Sequence, residues 1–136
     1  MKAIGHFAEG AAGYEAGKFT RKVMQTNSAN ALRDGAAEAS RLRDTARLAM
    51  GRQIAGLAAS GFEGASGSAL DAVRESSIES ELEIMSARRR SEAAASGYKS
   101  QGQIAYAQGY NAMSSGVISG VNATIDSVAK LNYAGS

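Results

Sequence analysis

No proline occurs anywhere in this chain, and its turn-forming residues crowd into one stretch, SGFEGASGS at residues 60–68. Helices stop where proline or glycine gives them a local reason to stop. The pattern therefore predicts long helical arms on either side of a single turn. The turn falls on Gly61, Gly64, Gly67 and Ser68. Ser68 with Asp71 makes an S-x-x-D capping box, the signature of a helix starting at that point.

What could hold such arms together is limited by what they are made of. Ala, Gly and Ser supply 61 of the 136 residues, Trp is absent, and Phe and Tyr together number eight. Burial is worth roughly 25 cal/mol per Å² of apolar surface, so small side chains gain little from collapse alone. Their advantage is that they let backbones approach closely. The composition predicts an all-α chain of one domain, residues 1–136, stabilised by helix-on-helix contact and by further copies of itself. Its architecture is expected to be an elongated antiparallel helical hairpin with an additional N-terminal helix.

The N-terminal helix is expected at about residues 2–25. Small residues recur four apart there, at Ala8, Ala12 and Ala16 and again at Gly13 and Gly17, while Ile4, Phe7, Ala11 and Tyr14 form a thin apolar stripe. Glycine costs about 1 kcal/mol per helical site relative to alanine. A small-xxx-small face against another helix would offset that cost; a terminal arm without a partner is the alternative. Thr26, Asn27 and Ser28 are candidate N-caps for a second, basic helix at 29–60. Within it Ala39, Leu42, Ala46, Met50, Ile54 and Leu57 follow the three-and-four spacing of a buried face. After the turn at 61–68, a third helix is expected at 69–131, either continuous or kinked near Gly97, Gly102 or Gly109.

The two arms differ in charge. Arg33, Arg41, Arg43, Arg47 and Arg52 dominate the arm before the turn, and Asp71, Glu75, Glu79, Glu81 and Glu83 dominate the arm after it. Folding back at the turn, with facing residue numbers adding to about 130, brings Arg52 near Glu79 and Arg47 near Glu83. Exposed pairs of this kind contribute only about 0–1 kcal/mol each. Beyond the consecutive Arg88, Arg89 and Arg90, no charged residue occurs between Lys99 and Asp126. That run carries Gly109 and the G-x-x-x-G pair Gly116 and Gly120, expected at a membrane or subunit contact. Two arrangements suit it: one wall of an oligomeric barrel of helices, or a helix buried between protein subunits.

Catalytic chemistry is hard to place. Without cysteine there is no disulfide, thiol nucleophile or Cys-based metal site. His6, the single histidine, has no ligand partners at a suitable spacing, and the acidic residues match no metal-loop pattern. No P-loop or nucleophile-elbow motif occurs. No enzyme, cofactor or metal is expected. No secretory leader is legible near the N-terminus, since Glu9 interrupts the apolar residues there, and no run of about 20 strongly apolar residues indicates an ordinary membrane-spanning helix.

The stretch GRQIAGLAASGFEGASGSALDAVRESSIESELEIMSARRRSEAAASGYKSQGQIAYAQG, at 51–109, resembles the smallest internal core protein of short-tailed, podovirus-type bacteriophages. The shared features are the aliphatic-glycine segment Ile54 to Leu57 and the glycine-serine turn Gly64 to Leu70. They continue through the charged helix Glu81 to Arg90, Tyr98 beside Lys99, and the glutamine-bearing Gln101 to Gln108. MQTNSAN from Met24 also resembles that family's link between its first two helices. This chain lacks the long C-terminal tail of familiar members. The resemblance implies an ejection protein packed inside the capsid near the portal, with other core proteins and the portal or tail as partners. It implies a ring-like homo-oligomer in the host outer membrane that carries the genome. Arg88, Arg89 and Arg90 would then be candidates for transient contact with genomic DNA. A permanent structural or adaptor protein around the portal or tail is the alternative.

Overall fold

The computed structural model describes residues 2–59, 61 and 67–134. They form two helices, α1 (Lys2–Ala59) and α2 (Gly67–Ala134), consistent with a helical hairpin. The expected separate N-terminal helix is absent. α1 runs through residues 26–28 without a break, and Thr26 does not cap a helix start: its Oγ1 donates to the carbonyl of Lys22, 3.1 Å away, one turn back in the same helix. A Ser/Thr hydroxyl satisfied in this way is a helix-interior residue. α2 is likewise continuous through Gly97, Gly102 and Gly109.

At the turn, Gly61 has φ +76°, and its N–H donates to the Ala58 carbonyl at 3.4 Å. A left-handed residue just past a helix end is the usual role of glycine. Gly64 lies outside the described residues. Gly67 and Ser68 already belong to α2, whose described residues begin two positions before the expected start at 69.

The chain divides into two compact units, residues 1–28 with 96–136, and residues 29–95. In each, a stretch of α1 packs antiparallel on a stretch of α2. In the first unit the contact is built from glycine. Gly10 lies against Gly116, Gly17 against Gly109, and Gly102 against Met24 and Arg21. A Cβ added at Gly17 would stand 2.7 Å from the Ala105 carbonyl oxygen and 3.0 Å from the Gly109 Cα. Backbone meets backbone there, and only glycine fits. Phe7 closes over Gly120. Of the apolar stripe Ile4, Phe7, Ala11 and Tyr14, Phe7 and Tyr14 reach the seam, whereas Ile4 is 73% exposed. Gly10, Gly17 and Met24 fall seven residues apart, as do Gly102, Gly109 and Gly116. A seven-residue repeat keeps a seam in register between helices that wrap left-handedly.

In the second unit the seam is alanine with a few larger residues. Ala39, Ile84, Ala87 and Ala95 are its buried apolar side chains. Leu42, Ala46, Met50 and Leu57 are half-buried beside them as expected, but Ile54 is 56% exposed and Gln53 takes its place on the seam. Covered positions recur here at eleven residues, as in 35, 46 and 57 on α1 and 73, 84 and 95 on α2. An eleven-residue period is 3.67 residues per turn and accompanies the opposite sense of supercoil. One glycine is again indispensable: a Cβ on Gly35 would overlap the Ser91 side chain.

Candidate functional site

Because the seams consume the small residues, most large apolar side chains point away from them. On α2 in the first unit, Tyr110, Val117, Ile118, Val121, Ile125 and Val128 are all exposed, with Ile118 at 61% and Ile125 at 60%. At 100° per residue they cluster on one side of the helix, turned from the glycine seam. Asn111, Ser115, Ser119 and Asn122 lie on the next flank, also exposed. The helix thus has two packing faces: a glycine face that α1 fills, and an aliphatic face with nothing on it. Covering a Val, Leu or Ile side chain fully is worth about 1.5–3 kcal/mol, so this face carries more potential burial energy than the seam.

Three hydroxyls along this run are already satisfied within the helix. Thr124 Oγ1 donates to the Gly120 carbonyl at 2.7 Å, Ser127 Oγ to that of Ala123 at 2.7 Å, and Ser114 Oγ to that of Asn111 at 3.1 Å. A hydroxyl bonded to its own helix can be buried without the penalty of an orphaned donor. A second open face lies on α1 in the same unit, where Ala8, Ala12, Ala16, Phe19 and Val23 are exposed. The four-residue alanine repeat therefore faces outward, while Gly13 and Gly17 face α2.

Gly109, Gly116 and Gly120, expected at a membrane or subunit contact, are instead occupied by the chain's own α1. The reason is the partner glycines at 10, 13 and 17, and the seven-residue spacing of Gly10 and Gly17 was the available signal. Gly35 facing Ser91 had no comparable sequence mark.

The expected pairing of arms is off by about one helical turn. Facing residues add to 126, as Gly10 with Gly116 and Gly17 with Gly109 require, and not to 130. Among the described residues the ion pairs are Lys18–Glu15 at 2.9 Å and Arg90–Glu38 at 3.4 Å, and His6 Nδ1 lies 4.0 Å from a Glu9 carboxylate oxygen. Arg47–Glu83 and Arg52–Glu79 are not among them. Arg47 lines a shallow recess with Arg43 and Glu81, whereas Glu79 and Glu83 lie elsewhere. Pairs worth under 1 kcal/mol cannot dictate register against glycines that admit only one close approach.

Arg88, Arg89 and Arg90 are all exposed, and Arg90 is held by Glu38 through a bond between the arms. Near the glycine seam, the Tyr14 and Tyr106 rings pack tilted at 53°, 6.0 Å between centroids, with Lys18 over the Tyr14 ring and Arg21 over the Tyr106 ring. The neighbouring Tyr106 hydroxyl raises the Tyr14 pKa, and the bond to Glu15 raises that of Lys18. Among the described residues no His, Cys, Asp and Glu group is arranged to hold a metal ion, and no helix is long and apolar enough to cross a membrane. No protein-family model matches the chain, and neither a curated protein nor a solved structure matches it.

Proposed function

We propose that this chain is an internal virion protein of a short-tailed bacteriophage, an ejection protein packed near the portal. After leaving the particle it self-associates into a ring-like conduit at the host outer membrane. The observation that carries this reading is the open aliphatic face of α2, Tyr110 to Val128, on a helix pair that fills its own seam with glycine. Such a unit is finished on one side and unfinished on the other. Its remaining burial must come from neighbouring copies, other core proteins or lipid. The lack of charge from Ser100 to Ile125 lowers the cost of covering it. Arg89, with no ion pair in the chain among the described residues, is the residue of the arginine run for transient contact with genomic phosphates.

Two measurements test the proposal. Mass spectrometry of full and emptied particles should find the chain in the first and not in the second. The purified chain should release dye from vesicles and form rings visible by electron microscopy. Retention in emptied particles, with no leakage, would favour the permanent structural or adaptor protein around the portal or tail.

A further inference from the structure

We infer that copies of this chain pack side by side and parallel, the basic edge of residues 29–95 in one copy against the acidic edge of the same region in the next. The inference rests on the self-association proposed above and specifies its surface. Two observations define the edges. Arg43 and Arg47 share a recess with Glu81, which marks one edge of the helix pair. Glu38 and Arg90 bond to each other, which marks the other. Stepping about 100° per residue from the buried seam places Arg88 on the first edge and Glu79 and Glu83 on the second.

The levels then coincide. In the observed register Arg47 is level with position 79, Arg43 with position 83 and Arg88 with position 38, each on the edge opposite its acidic counterpart. All six side chains are exposed. Apart from Glu38, none of them has an ion pair within the chain among the described residues. Within one copy these charges cannot meet, because the helix pair stands between them. A neighbour displaced sideways, without sliding, brings Arg47 to Glu79, Arg43 to Glu83 and Arg88 to Glu38. A two-fold arrangement would set each edge against itself and oppose like charges at these levels. The complementary contact is head-to-tail, which closes into a ring or continues as a filament.

The test exchanges the charges. Sedimentation velocity should show the wild-type chain self-associating, less so as salt rises. Arg43→Glu with Arg47→Glu should weaken association by about tenfold or more, and Glu79→Arg with Glu83→Arg likewise. An equimolar mixture of the two variants should recover the association that each has lost alone. Circular dichroism checks that the helices persist; if reversal unfolds them, Arg43→Gln with Arg47→Gln should give the same loss in milder form. Variants that associate as the wild type does overturn this interface and leave self-association standing. A mixture that fails to recover also overturns it. A wild-type chain monomeric at every concentration overturns both this contact and the conduit reading.

Discussion

In residues 1–28 with 96–136 the helices meet glycine against glycine at seven-residue intervals. In residues 29–95 they meet through a seam whose covered positions recur at eleven residues, as in 35, 46 and 57 or 73, 84 and 95, with Ala39, Ile84, Ala87 and Ala95 as its buried apolar side chains. The first contact is closest where backbone meets backbone, with Phe7, Tyr14, Met24 and Tyr106 beside those points. Its stability comes from backbone atoms in van der Waals reach, and it has no slack for an added carbon. The second holds real apolar side chains, so its stability comes from burial and it suffers when carbons are removed. The two regions should respond to opposite kinds of change.

Five outcomes would break or sharpen that contrast. The largest effect should be Ile84→Ala, which empties the one large buried position of the alanine seam and should cost about 2–4 kcal/mol. Urea unfolding at fixed protein concentration measures it. Next comes Gly17→Ala, one carbon added between backbones, expected to cost about 1–3 kcal/mol. If thermal unfolding found it neutral, the glycine seam would not be the tight contact described.

Gly35→Ala tests whether the alanine seam also has a place that rejects additions. It should destabilise by about 1–3 kcal/mol, and Ser91→Gly in the same chain should recover most of that by removing the atoms it strikes. Gly97→Ala gives the opposite sign. Nothing lies within 4 Å of a Cβ there, so the substitution should stabilise by roughly 0.5–1 kcal/mol from helix propensity. The pair Gly17→Ala and Gly97→Ala, compared in one thermal series, separates a packing glycine from a merely tolerated one.

The smallest effect concerns charge. Glu15→Gln should lower the Lys18 pKa, read by NMR, because the bond to Glu15 is the main cause of its elevation. The sign follows from linkage. A raised lysine favours the folded state while the group is protonated, and that contribution disappears as pH climbs through the raised value. Its effect is confined to the alkaline range, and both side chains are too exposed for it to register in the unfolding midpoint.

Much of this was legible in the residues, and the exceptions are informative. The absence of proline and the glycine cluster marked two helical arms and the turn at Gly61. The MQTNSAN segment misled, since Thr26, Asn27 and Ser28 suit an N-cap equally well when nothing stops the helix from running through them. Ile54 misled as well. Three-and-four spacing alone does not distinguish a seam drifting at eleven residues, which passes through Gln53, from one that includes its neighbour.

Sequence by itself determined that the chain is helical, where it turns and that its core must be small residues, because helix propensity, breakers and side-chain volume act locally. Only the tertiary structure decided the register of 126, the pairing of Gly17 with Gly109, and the side on which Arg47 and Glu79 emerge. Those depend on the closest approach summed along two helices, and no single residue or charge pair carries enough free energy to announce it.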